Sequence, residues 1–381
     1  MGGSTLENKA LNLLKALLEI PSVNSKDRES RVAEYLADYF QKHGIESCVQ
    51  YLDENHANVL AYIPGTDSGR RMIWNGHLDT VPYGNLEEWK TDPAAAVLKD
   101  GRLFARGASD MKSGLAAMVY ALCHTPEPPA YDIQFIGTCD EEKNGLGASS
   151  VLKDGMMDAE YLLVGEPTNM SLGVAQKGCL WLEIRTKGRT SHGAYPQEGI
   201  NAVDYGVELA SGLKAYVQSF TSQILGASTA QITMIQGGVA MNMTPDECGI
   251  RMDIRMVPGL TKEMVLEKAE ELLLKEQEKE PGFAAEFAVL NDRRAIEIDS
   301  LDWLPSTLRR LLQSYGYEGS DIGVNFFTDA SVLDRAGEKK ILLFGPGEPS
   351  MAHKPNEYVS VKKYEDAIQV LQKLMRQKMP G

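Results

Sequence analysis

Apolar positions in the first forty residues recur twice at the spacing of an amphipathic helix. Leu6, Ala10, Leu13, Leu14, Leu17 and Leu18 share one face before Pro21 stops the run. Val32, Leu36, Tyr39 and Phe40 share a second face that ends at Gly44, a residue suited to the position just past a helix. The period then changes. Short apolar runs at 48–52, 58–63, 72–75, 133–138, 161–164 and 341–344 read as strands. Helical stretches lie between several of them, notably 114–124 and 364–375. This alternation predicts an α/β fold, with helices flanking a mixed central sheet.

The middle of the chain has a different texture. A strand at 180–186 is followed by a helix at 201–216 and strands at 230–235 and 249–256, then a helix at 261–278 and a strand at 284–290. That order, βαββαβ, is a self-contained two-layer unit. Because α/β texture resumes afterwards, the expected organisation is a first domain in two parts, 1–178 and 292–381, with the unit 179–291 inserted between them.

Composition narrows the partners. A formal net charge of -14 argues against a nucleic-acid ligand, and no apolar stretch approaches the ~20 residues needed to span a bilayer. The five cysteines are odd in number and widely spaced, with no CxxC pair, which predicts small core hydrophobes in a reducing, cytoplasmic setting. The start Met1-Gly2-Gly3-Ser4-Thr5 lacks a cationic leader and runs straight into the first helix, so no signal peptide is expected, and Gly2-Gly3-Ser4 reads as a cloning remnant.

Of six histidines, His43, His56 and His124 sit in ordinary helix or loop contexts, while His77, His192 and His353 lie in Gly- or Pro-rich polar segments. His77 ends a buried strand and Asp79 follows two residues on, where it can hold one ring nitrogen while the other binds a metal. Asp110 precedes the helical run from Gly114 and can equally be its cap. Glu141 and Glu142 follow the 133–138 strand. Adjacent side chains diverge, so one carboxylate can bind a metal while its neighbour faces the attacking water. Glu166 follows the strand at 161–164, and His353 comes after the strand at 341–344 and a Gly345-Pro346-Gly347 turn. Each segment alone has an ordinary reading as a turn or solvated acid. Together they gather where open α/β sheets bind ligands, at strand carboxyl ends. His77, Asp110, Glu142, Glu166 and His353 make two imidazoles and three carboxylates. That mixed set suits two Zn²⁺ ions with one bridging carboxylate, and Co²⁺ or Mn²⁺ as substitutes.

At these residues the chain resembles the zinc-dependent deacylases and exopeptidases that include acetylornithine deacetylase, succinyl-diaminopimelate desuccinylase, aminoacylase and carboxypeptidase G. The likeness runs through the segments 76–82, 107–114, 141–142, 165–168, 191–196 and 352–358. It departs at Ala105, where Gly is common in the family, and at Ala94, where Phe is common. The resemblance implies that His77 and Glu166 hold one zinc, Glu142 and His353 the other, and that Asp110 bridges them. It also implies that Asp79 orients His77 and that Glu141 is the general base. The inserted unit becomes a lid and dimerisation domain of a homodimer. His192 becomes a lid histidine reaching a neighbouring subunit's site, and Arg255 and Asn242 bind the substrate's carboxylate end.

The activity so implied is hydrolysis of an N-acyl amino acid, with N-succinyl-L,L-diaminopimelate or N-acetylornithine as the expected substrate. A dipeptidase or carboxypeptidase on the same scaffold is the nearest rival. A catalytically silent amino-acid-binding relative would be expected to lose a ligand or the base, and all are present. A dinucleotide enzyme is excluded because no GxGxxG opens a helix after the first strands.

Overall fold

The computed structural model describes residues 5–153, 158–334 and 337–380. Gly2, Gly3, Ser4 and the Leu6 side chain lie outside the described residues. The chain divides into two compact units, one running to Val174 and resuming at Ile298–Ile322 and from Thr328, the other comprising Ala175–Glu297 and Gly323–Phe327.

The first unit is built on a mixed sheet, as expected. Its order through this unit is Glu46–Tyr51, Ala57–Ile63, Asp132–Thr138, Arg71–His77, Tyr161–Val164, Lys340–Leu343 and Leu172–Gln176. The four strands Asp132–Thr138, Arg71–His77, Tyr161–Val164 and Lys340–Leu343 are parallel to one another, and the outer pairs are antiparallel. The parallel strands are nearly continuous apolar runs because both faces are covered. Helix Lys112–His124 is buried on every side from Lys112 to Leu122, the mark of a core helix, and it packs against helices Thr5–Glu19 and Val361–Leu374. Helix Ser30–Lys42 ends as the pattern predicts, with Gly44 at φ +75°.

Several elements carry no readable period. Strands Val97–Lys99, Arg102–Phe104 and Tyr358–Ser360 form a separate small sheet, each too short to show alternation. The cysteine expectation is corrected at one position. Cys139, Cys179 and Cys248 are buried and Cys123 is half-buried, but Cys48 is exposed on the outermost strand Glu46–Tyr51.

The second unit has the expected βαββαβ order. Strands Gly178–Lys187, Thr229–Gly237, Glu247–Met256 and Ala284–Arg293 form one antiparallel sheet, and helices Ala202–Gln218 and Lys262–Lys279 cover its apolar face. Leu180, Leu182, Ile184, Ile250, Met252 and Ile254 alternate inward to make that face. Asn201 and Thr261 cap the two helices by accepting backbone N–H bonds. Among the described residues no helix is long and apolar enough to cross a membrane.

Candidate metal centre

The carboxyl ends of the parallel strands collect the polar segments. His77 is the last residue of Arg71–His77, and Glu166 lies two residues beyond Tyr161–Val164. Glu141 and Glu142 follow Asp132–Thr138 through Asp140, which turns the chain at φ +59°. Asp110 does not cap the next helix. The cap position belongs to Met111, whose side chain makes no cap bond. Asp110 is instead carried toward Glu166 by a close approach at Gly114, where a Cβ would stand 1.8 Å from the carbonyl oxygen of Gly165.

His77 Nδ1 donates to the backbone carbonyl of Asp79 at 2.9 Å, so Nε2 is the nitrogen that faces Asp110 Oδ1, at 3.2 Å. The Asp79 carboxylate stands farther from that ring, 3.6 Å from Nδ1. Its oxygens accept the backbone amides of Glu141 and Glu142, both at 3.1 Å, and the carboxamide of Asn24 at 2.9 Å. The second Asp110 oxygen lies 3.4 Å from His353 Nε2, which is itself 3.1 Å from Glu142 Oε2. Two donor groups result, His77 with Asp110 and Glu166, and Asp110 with Glu142 and His353, each with one ligand atom per residue inside 4.8 Å. They differ in setting. The His77 side chain is 2% exposed and that of His353 is 54% exposed.

The electrostatics show what such a cluster requires. Burial pushes the carboxyls of Glu141 and Glu166 well above the usual range, and that of Glu142 upward. Burial also opposes charge on His77, yet Asp110, Asp79, Glu166 and Glu141 around it hold its pKa well above that of free histidine. Hydrogen bonds to Asp110 and Glu142 push His353 up to about 10. Despite its burial, Asp110 is held far below the ordinary value by the two imidazoles. The cluster therefore carries more carboxylate than its own cations balance and retains protons to offset it. Divalent cations would supply that charge instead, and a set of imidazoles and carboxylates suits borderline transition ions. The residues fit a pair of such ions.

Sequence reading missed the groups behind this cluster. Asn24 Nδ2 reaches Asp79, Asp140 and Glu29 at 2.9, 3.1 and 3.3 Å. Glu29 accepts the Asp140 amide at 2.8 Å, and the buried Lys112 ties its Nζ to the carbonyls of Leu17 and Ile20. The carboxylate of Glu357 holds the turn that carries Asp110. None has a local periodic signal.

Three predicted site residues lie in the second unit. His192 is exposed and bridges to Met243, and the amide of Gly193 donates to the Asn242 carbonyl at 2.7 Å, so His192 and Asn242 sit on adjoining loops. Arg255 is engaged within this unit. It grips Asp253 through Nε at 2.7 Å and Nη2 at 3.0 Å, and its guanidinium lies 5.7 Å from the Phe327 ring centre.

Two curated relatives are similar over most of their length. A Staphylococcus aureus (strain MRSA252) protein described as a probable succinyl-diaminopimelate desuccinylase is 27% identical over 96% of both chains. An acetylornithine deacetylase of Myxococcus xanthus is 30% identical over 82% of both. Among solved structures, a tripeptidase from Staphylococcus aureus Mu50 superposes with a TM-score of 0.76 at 23% identity, covering 97% of this chain and 99% of that one. A dinuclear metal-binding peptidase from Bacillus subtilis gives 0.72 at 16% identity, over 97% of each chain. Residues 73–377 match the model of peptidase family M20/M25/M40, a span that takes in both donor groups, and the chain is a member of that family.

Proposed function

We propose that this protein is a two-cation amidohydrolase that removes an N-acyl group from a small carboxylate-bearing amino acid, with N-succinyl-L,L-diaminopimelate or N-acetylornithine as substrate. The observation that carries the reading is Asp110, which turns one oxygen to His77 and the other to His353, so that two donor groups share it. The names borne by the Staphylococcus and Myxococcus relatives support the substrate class. The similar solved structures, a tripeptidase and a dinuclear metal-binding peptidase, support the second reading, a dipeptidase or carboxypeptidase acting on the same bond type.

In this reading His77 and Glu166 hold one ion, Glu142 and His353 the other, and Asp110 both. Zinc suits the donor set best, with cobalt or manganese as substitutes. Such ions, when bound, supply Lewis acidity that makes water a nucleophile near neutral pH. The chain does the rest. Asp79 fixes the backbone at Glu141 and Glu142, so that one carboxylate points to the donor group and its neighbour remains for proton transfer. Glu141 accepts the proton of the attacking water and returns it to the departing amine nitrogen, which leaves Glu141 ionised for the next turnover. The family resemblance adds His192 as a hydrogen-bond donor to the developing oxyanion, a role typically worth roughly 3 kcal/mol. It adds Asn242 and Arg255 at the carboxylate end of the substrate, the unit 179–291 as lid and dimerisation domain, and a homodimer. The five free thiols support a cytoplasmic setting.

A hydrolysis panel tests the reading. Metal-loaded enzyme is offered N-succinyl-L,L-diaminopimelate, N-acetyl-L-ornithine, other N-acetyl amino acids and simple dipeptides, with and without chelator, and free amine is measured. Chelator-sensitive release from one N-acyl substrate, abolished in Glu141→Ala, is expected. Turnover of dipeptides alone would move the protein to the peptidase reading. No turnover with two cations bound would leave a silent relative.

A further inference from the structure

Glu357 is completely buried, and its carboxylate receives four N–H donors. Oε2 accepts Arg106 Nη1 at 2.7 Å and the Gly107 amide at 3.0 Å, while Oε1 accepts the amides of Ser109 at 2.7 Å and Asp110 at 2.9 Å. Four donors fill the acceptor directions of a carboxylate, so the 106–110 turn is wrapped around this one group.

The same group fastens the segment that carries His353. Arg106, held by Glu357, also donates from Nη1 to the carbonyl of Lys354 at 3.2 Å, next to His353, and from Nη2 to that of Pro82 at 3.1 Å. The Ala105 amide donates to the Glu357 carbonyl at 3.2 Å, and Ser109 Oγ to the Tyr358 carbonyl at 2.7 Å. Asp110 and His353 thus reach each other through contacts that close on Glu357. The other members have separate supports. The amide of Glu142 and the ring of His77 are both fixed by Asp79. His353 is the least protected of the five, half-exposed and at φ +62°, so its place depends on its loop.

We infer that Glu357 is a positioning residue that assembles the donor group of Asp110, Glu142 and His353 by joining the turn of Asp110 to the loop of His353. The inference rests on the two-cation reading. Its consequence is asymmetric. Loss of Glu357 loosens two of three members of this group but only Asp110 in the group of His77, Asp110 and Glu166.

The test is a Co²⁺ titration of metal-stripped full-length protein, followed by calorimetry and by visible absorption, alongside the melting temperature of the metal-free form. Wild type is expected to take two equivalents. Glu357→Gln keeps the shape, but its amide nitrogen faces two N–H donors. It is expected to bind the first equivalent within about threefold of wild type and the second at least about tenfold more weakly, as outer-sphere partners of metal ligands typically behave. His353→Ala supplies the reference for loss of that group. Two equivalents bound as in wild type, even with a lowered melting temperature, would overturn the inference. So would equal weakening of both, which assigns Glu357 to the fold as a whole. Should Glu357→Gln fail to fold, Arg106→Lys is read by the same criterion. It keeps a cation beside Glu357 but lacks the fork that reaches Lys354. Fewer than two equivalents in wild type would instead sink the two-cation reading itself, and the inference with it.

Discussion

One carboxylate oxygen of Asp79 accepts the backbone amide of Glu141 at 3.1 Å. The residue two places beyond His77 therefore orients the proposed base more directly than it orients the histidine, whose own bond goes to the Asp79 carbonyl. The other oxygen takes the amide of Glu142. Asp79→Asn places an NH₂ against one of those amides and leaves that donor without a buried acceptor. A fall in kcat of about 10- to 100-fold is expected, the usual cost of an outer-sphere partner. Steady-state kinetics on the best substrate of the panel measures it, with metal content determined in parallel. Unchanged kcat in fully metal-loaded Asp79→Asn would remove this role.

Asp110 belongs to both donor groups, whereas His353 belongs to one. Asp110→Ala is accordingly expected to lose both high-affinity cations, and His353→Ala only one. Elemental analysis after dialysis against metal-free buffer separates the two patterns. Equal stoichiometry in the two variants would contradict the sharing of Asp110.

His77, Glu142 and Glu166 were legible because an apolar strand stops and a polar residue follows within a few positions, whereas Asp110 precedes a helix and His353 stands a loop beyond its strand. Such a signal is local. The supports were not legible, because each is a contact across long stretches of chain. Asn24 meets Asp79 over 55 residues, Glu29 meets Asp140 over 111, and Glu357 meets Asp110 over 247. Glu357 lies within the 352–358 segment of the resemblance, yet nothing local there gives it a role apart from that of a solvated acid next to a short strand. The βαββαβ unit was readable from alternation, because one face of its sheet is buried and the other is not. The 323–327 segment, which packs with that unit, lies beyond the end of the pattern and has no texture of its own.

Glu29 gives stability a pH dependence with a definite sign. Burial, then the ionised Asp79, pushes its carboxyl from 4.5 up to about 9. His77 and the Asp140 amide act against that rise, and His56 Nε2 stands 3.8 Å from the same group. Between these pH values the folded chain binds a proton that the unfolded chain has released. The contribution to stability is therefore complete below about 4.5 and is lost as pH rises through about 9. In metal-free protein the urea midpoint is expected to fall between pH 6 and 9.5, and less steeply in Glu29→Gln, which cannot ionise. Parallel declines in the two proteins would show that another group is responsible.

Strand Thr229–Gly237 is at the end of its sheet, paired on one side by Glu247–Met256. Its residues from Gln231 onward are exposed, among them Ile232, Met234 and Ile235, and the loop beyond adds Val239 and Met241. An apolar edge with unpaired backbone groups is a template for another strand, and natural edges that stay single are usually blunted with charge. A second copy of the same strand offers a matching partner for the homodimer proposed above. Wild type is then expected to sediment at twice 41.9 kDa, and Ile235→Lys, which places a charge on the edge, to shift toward the single chain. Because the reading gives His192 a role at the neighbouring subunit's site, kcat should fall along with the dimer while the bound-metal count stays at the wild-type value. A wild type that sediments as a single chain at micromolar concentration would reject the dimer and, with it, any action of His192 across subunits.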